Sequence, residues 1–452
     1  MNRFFHYAAG AAVLLGSSFG LTACDFTEGN DQDPNAVTDV GPELLLPAGQ
    51  LGQILIQEGD FARISGMFAA QFTGSDRQYL RIDNANLTTD DFSNTWNALY
   101  QDALAQLDLA EGKFEEQGNR VGAGVARLHK AYAYGTATAL FGDIPFSQAL
   151  NPEFENPVFD PQADVYAGVI SLLQSAITDL ESGVGVASGD VFGLTSEQYT
   201  EVAYTLLARY NLHVGNYAAA EAAAEDGIST AANNLVVPHG DAIDSNGNLY
   251  WAFVADYRGG YLTANDAFAV SLLEDRDDPR IDVFYDAPSV AAAELNTDDT
   301  TPTIFGLSSD FPLVTYRENQ LILAEARLLS DGDADGALDA LNDVRALNEA
   351  DFGDGEGDAE FPEFESDDFD SDNDLLEEIL TEKYISLIGQ IEAYNDVRRT
   401  DNFIGIPGKN NGNVPQRFLY ARSELNANSN APALASVGDA TPVNASINYT
   451  GL

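Results

Sequence analysis

Cysteine is nearly missing: Cys24 is the single thiol in 452 residues. No disulfide can form within the chain, so the fold must hold by packing. Cations are scarce as well. Against 72 Asp and Glu stand 21 Lys and Arg, a formal charge of −51, and lysine occurs only at 113, 130, 383 and 409. Such a field repels phosphate backbones and anionic headgroups, which excludes nucleic acid and an anionic membrane surface as partners. No apolar run approaches the roughly 20 residues of a membrane-spanning helix. Catalytic signatures are missing too. There is no H-E-x-x-H, no G-x-S-x-G and no phosphate-binding loop, "GIPGKN" at 405–410 being too short for one. Among 72 acids a glycosidase pair could be nominated anywhere, so nominating one carries no information. His129 and His213 fall inside helical patterns and read as structural. These absences point away from an enzyme, and no cofactor or resident metal is expected.

What is present begins at the N-terminus. Arg3 and the apolar "AAGAAVLLGSSFG" have the make-up of an export signal. Leu21-Thr22-Ala23-Cys24 then resembles a bacterial lipobox, in which the chain is cut before the cysteine and its sulfur takes a diacylglycerol. The expected organisation is therefore a signal peptide over 1–23, a lipidated Cys24, and a flexible acidic tether over 24–40. Residues 41–452 then form one domain, with insertions at about 232–316 and 351–374. The domain has material for a core, since 45% of the chain is hydrophobic and 10% aromatic. Its carboxylates are spread along the whole chain, a pattern that reads as adaptation of the surface to high salt, where self-repulsion is screened.

The periodicity is helical. In "FSNTWNALYQDALAQLDLAEGKF" the positions Trp96, Leu99, Tyr100, Ala103, Leu107, Ala110 and Phe114 fall on one helix face, which assigns Trp96 to the core. Gly142-Asp143, Gly215-Asn216 and Gly332-Asp333 each follow a helical stretch. The glycine can end one helix in the left-handed conformation, and the Asp or Asn can cap the next. "LARYNLHVGNYAAAEAA" matches a tetratricopeptide turn, although these junctions are not the 34 residues apart of regular repeats. The fold class is thus mostly α: tetratricopeptide-like helix pairs forming a scaffold, with a loop-rich insertion and a coil after about 400 that wraps the body. The insertion at 351–374 carries twelve carboxylates and no base, a solvated loop. Asp331, Asp333, Asp335 and Gly336 spell the opening of a calcium loop, but its twelfth position is Asn342 instead of Glu, and whether it holds calcium stays open.

Aromatic and polar side chains gather in two loops, "GSDRQY" at 74–79 and "NLYWAFVADYRGGY" at 248–261. Tyr79, Trp251, Tyr257 and Tyr261 are candidate stacking faces for a sugar ring or a peptide plane. Arg77 and Arg258 are candidate hydrogen-bond donors.

Several segments, in order along the chain, resemble the SusD/RagB nutrient-binding lipoproteins of Bacteroidetes-type bacteria. They are the lipobox, "DPN" at 33–35, "WNALY" at 96–100, "FGDIPFSQAL" at 141–150, "DDPRIDVFY" at 277–285, "YRENQLILAEARLL" at 316–329, "EKYISLIGQIEAYNDVRRTD" at 382–401 and "PQRFLYARSELNAN" at 415–428. The resemblance implies a lipid-anchored lid on a TonB-dependent outer-membrane barrel of the SusC type. It would sit at the cell surface, capture oligosaccharides or peptides, and deliver them without cleavage. Of the site residues only Cys24 carries over from that family. The readings left beside it are a secreted surface glycoside hydrolase and a tetratricopeptide-type interaction scaffold.

Overall fold

Apolar residues recur at helical spacing from residue 42 onward, and helices form there. In the computed structural model the described residues are 40–355, 359–409, 412–433, 435–447, 449 and 451. Cys24, the signal segment, nearly all of the tether and residues 356–358 of the acidic insertion lie outside them. Helix accounts for 55% and strand for 6%, as a mostly α chain requires.

Helix α1 (Pro42–Gln57) starts on a proline, whose missing N–H costs nothing in a first turn. It buries Leu45, Leu46, Ile54 and Ile56 but leaves Leu44, Leu51 and Leu55 64%, 56% and 47% exposed. A Cβ on Gly52 would lie 2.6 Å from the Ala103 backbone nitrogen, so only glycine permits this helix contact. Next come α2 (Asp60–Phe68), α3 (Arg77–Asp83) and α4 (Ser93–Asn97). From α4 the chain continues as a π-helical segment, Ala98–Leu104, into α5 (Ala105–Glu116). The single apolar stripe expected over these residues is real, with Trp96, Leu99, Ala103, Leu107, Ala110 and Phe114 all buried, but one stretch of it is wound wider than an α-helix.

Helix α6 (Arg120–Phe141) is the centre of the core, buried along nearly its whole length. Around it pack α5, α7 (Gln162–Leu180) and α8 (Ser196–His213), the last followed by α9 (Tyr217–Ala224). Burying one large apolar side chain stabilises the fold by about 2 kcal/mol, and here such side chains come from α1, α2 and α5 to α8 alike.

Two of the three expected junctions turn at the glycine as read, but only Asp333 caps the next helix with its side chain, Asn216 making no such cap. Gly215 at φ 74° separates α8 from α9, and Gly332 at φ 78° precedes Asp333, whose carboxylate accepts from Gly336 N at 3.0 Å to cap the helix Ala334–Phe352. That carboxylate is thus engaged in capping. Among the described residues no group of three or more His, Cys, Asp or Glu is arranged to hold a metal ion. The third junction differs. Gly142 ends α6 at φ 86°, but no helix follows directly, and Asp143 instead accepts from Gln162 N at 2.8 Å to cap α7 across an intervening loop.

The insertion at 232–316 is loop-rich with short strands: Leu235–Val237 pairs with Phe311–Val314, and Tyr285–Ser289 with Ala292–Leu295. In the acidic insertion Phe364 is pinned to the body by the Arg345 guanidinium, 3.9 Å from its ring centroid. The chain after 400 is mostly coil laid on the helices. Phe418 enters the aromatic core against Phe61 and Phe92, and Tyr420 OH donates to Asp143 O at 2.7 Å.

Inside the scaffold the few cations are spent on buried carboxylates. Arg209 is bidentate to Glu318 at 2.6 Å, Arg399 to Glu325 at 2.6 Å, and Arg280 bonds Glu382 at 2.6 and 2.9 Å while also holding Asp278. Burial opposes the charge on Glu382, yet Arg280 prevails and pulls its pKa down to about 2.

Candidate functional site

The two loops singled out in the sequence meet. Thr73–Gly74 pairs antiparallel with Leu262–Thr263, and Ser75 N donates to Tyr261 O at 2.9 Å. Beside this ladder opens a cleft of ≈ 280 Å³ between α1, α2, α4 and the aromatic loop. Leu55, Asp60, Arg63, Asn94, Thr95, Phe253 and Tyr257 line it.

The aromatic wall is firmly held. Asn248, fully buried, caps its first turn by accepting from Tyr250 N (2.9 Å) and Trp251 N (3.1 Å), while its amide donates to Ile304 O and Ser309 O. The turn Leu249–Trp251 then widens into a second π-helical segment, Ala252–Tyr257. Both π segments border the cleft, one through Ala98 and the other through Ala252, Phe253 and Tyr257. A π turn re-aims the side chains that follow it, a device frequent at functional sites. A second brace comes from Glu58, which accepts from Leu249 N at 2.6 Å and holds His239 Nε2 at 2.9 Å. His239 Nδ1 faces Asn246 O at 3.1 Å, so both ring nitrogens meet acceptors and the imidazolium form is favoured. Burial works against that charge, but the bond to Glu58 outweighs it and the His239 pKa is raised.

The floor is polar. Arg63 donates through Nη2 to Asp60 at 2.7 Å and through Nε to Tyr79 OH at 2.9 Å, and its guanidinium carbon lies 4.3 Å from the Phe253 ring centroid. Asp60 keeps 44% of its side chain open, so it can accept a further hydrogen bond from a ligand. Burial alone would raise the Asp60 pKa; the Arg63 charge lowers it, and the carboxylate form prevails.

The residues named from the sequence divide. Tyr257 is 52% exposed on the cleft wall, with its hydroxyl donating to Asp244 at 3.3 Å. Arg258 follows it in the chain, and none of Arg258, Arg77 and Tyr261 lines the cleft. The guanidinium carbons of Arg77 and Arg258 stand 5.9 and 6.0 Å from the Tyr261 ring centroid. Tyr79 is a correction. Its ring is 3% exposed, packed 4.8 Å from Phe253, and its hydroxyl is engaged by Arg63 and Asp60, so it braces the wall and has no free face. Trp251 is half-buried and does not line the cleft. Tyr250, in the same loop, is wholly buried against Phe72, Phe305 and Phe311. Phe253, Arg63, Asp60, Asn94 and Thr95 were missed. Only Phe253 carried a signal, its place inside the aromatic loop.

Comparison with known proteins places this geometry in context. A family model described as "Starch-binding associating with outer membrane" matches residues 34–421. The chain belongs to the SusD-like family. Among solved structures, a SusD/RagB family protein from Bacteroides thetaiotaomicron is 21% identical, with a TM-score of 0.67 over 87% of this chain and 95% of that one. A SusD homolog from Bacteroides uniformis is 18% identical, with a TM-score of 0.70 over 88% and 99%. A chitin-binding protein is 21% identical, with a TM-score of 0.65 over 84% and 94%. At these identities the likeness shows a shared SusD-like fold. No curated protein matches the chain.

Proposed function

We propose that this SusD-like protein holds oligosaccharides in the cleft at the cell surface and delivers them to a TonB-dependent outer-membrane transporter. The cleft itself carries the reading. It has one exposed aromatic face in Tyr257, the half-buried ring of Phe253 next to it, and Asp60, Asn94 and Thr95 beside them as partners for hydroxyl groups. Sugar rings present apolar C–H faces and polar edges, which is the complement of this lining. Membership in a family described as starch-binding and outer-membrane-associated supports the same reading, and so does the fold shared with a chitin-binding protein. A protein that hands its cargo on should bind weakly. Two stacking contacts and a few half-exposed hydrogen bonds give micromolar to millimolar affinity, about −8 to −4 kcal/mol.

The lipid on Cys24 keeps the protein and the barrel in one membrane and raises their effective concentration. Leu44 and Leu51, exposed on α1 outside the cleft, offer an apolar strip for that partner. Calorimetry against a panel of oligosaccharides and peptides, with product analysis, tests the proposal. Uncleaved glycan bound by the wild type, and about tenfold more weakly by Tyr257→Ala, is the expected result. Cleavage, or binding of peptides alone, would overturn it.

A further inference from the structure

In a chain with 21 cations and 72 carboxylates, a positive side chain left open on the surface is an exception. Among the described arginines without a carboxylate oxygen within 4.0 Å, Arg345, Arg398 and Arg417 are buried, while Arg258 is exposed. Among the described residues its guanidinium bonds only the neighbouring Tyr257 carbonyl, at 2.9 Å. Arg77 is nearly as free, since its one carboxylate contact is the adjacent Asp76 at 3.6 Å and its side chain is 69% exposed. Both flank the ring of Tyr261.

Their placement is built. Tyr261 N donates to Arg258 O at 3.0 Å to close the turn, Gly260 supplies φ 76°, and Ser75 N ties Tyr261 O to the other loop. Arg77 itself sits at φ 48°, a left-handed conformation that a side chain of its kind rarely adopts. Strain of this sort persists at binding sites because the surrounding structure imposes it. Two exposed guanidinium groups therefore stand together at one aromatic ring, that of Arg258 one step along the chain from the cleft-lining Tyr257, on a surface otherwise dominated by carboxylates. Guanidinium forks match the paired oxygens of carboxylate and sulfate.

We infer that the bound glycan is acidic, a uronate- or sulfate-bearing oligosaccharide whose anionic group is taken by Arg258 and Arg77 beside Tyr261. This rests on the binding role proposed for the cleft and adds the ligand class. Asp76 neutralises part of Arg77, so Arg258 carries the larger share.

The experiment titrates the full mature chain, at one fixed ionic strength, with three size-matched sets: neutral oligosaccharides, oligouronates and sulfated oligosaccharides. At least one acidic set should bind about tenfold more tightly than the neutral one. Arg258→Gln should cut that preference by about tenfold and Arg77→Gln by less, with unchanged melting temperatures. Arg258→Lys, which keeps the charge but loses the fork, should fall between. The two acidic arms separate a uronate site from a sulfate site. Neutral glycans bound as tightly as acidic ones, or a preference unmoved by Arg258→Gln, would overturn the acidic class and leave the glycan-binding role standing. Failure of every glycan to bind would overturn both.

Discussion

Replacing Arg63 by methionine tests whether the cleft floor is held as described. Methionine keeps most of the side-chain volume and removes the charge. Three contacts go: the bond to Asp60 at 2.7 Å, the bond to Tyr79 OH at 2.9 Å, and the guanidinium over Phe253 at 4.3 Å. Breaking a fully buried ion pair costs roughly 3–5 kcal/mol and an exposed one under about 1. Arg63 is buried but Asp60 is 44% open, which places this pair near 2 kcal/mol. Tyr79 OH still donates to Asp60 at 3.0 Å, so no hydroxyl is orphaned. The lost cation–π contact adds about 1 kcal/mol, for a total near 3 kcal/mol. Urea denaturation at pH 7 measures it.

The pH dependence is a second check. The native Asp60 pKa is lowered, so the pair's contribution is present above the unfolded carboxylate range and lost as pH falls through the native value. The difference between variant and wild type should therefore shrink toward pH 3. Glycan affinity should fall as well, because Phe253 and Asp60 both lose their brace. A stability loss below about 0.5 kcal/mol, or one that does not vary with pH, would refute the reasoning.

Three further outcomes are expected. Glu382→Gln leaves the buried Arg280 with Asp278 alone and should cost about 3 kcal/mol at pH 7; because the Glu382 pKa is held at about 2, the difference should disappear as acid unfolding is followed from pH 4.5 toward 2. Thermal melts should rise with sodium chloride, as the screening length shrinks from about 10 Å at 0.1 M to about 3 Å at 1 M, and a flat response would contradict the salt-adapted surface. Fatty-acid labelling in cells should mark the wild type and not Cys24→Ser, while equal labelling of both would remove the anchor.

Local chemistry made much of this fold legible. The Gly215 and Gly332 turns and the Asp333 cap are short-range devices, and a chain read residue by residue reveals them. Asp143 was half legible: its capping role was evident, but the helix it caps lies 19 residues away. The convergence of 74–79 with 248–261 runs through the short strand pair Thr73–Gly74 with Leu262–Thr263, a contact between residues far apart in sequence. Which aromatics stay open was not legible. Tyr79 lies under Phe253 and Arg63, and Tyr250 under three phenylalanines, contacts that join residues far apart in sequence. Asp60 and Asn94 carry no local mark of a site, since their role comes from the helices that bring them to one cleft.

The most direct test of the proposed glycan-binding cleft is a crystal structure of the protein with the tightest oligosaccharide found by calorimetry. A sugar ring should lie against Tyr257 and Phe253, with a hydroxyl group on Asp60 or Asn94. An ordered sugar held elsewhere on the protein, with this cleft empty, would contradict the account.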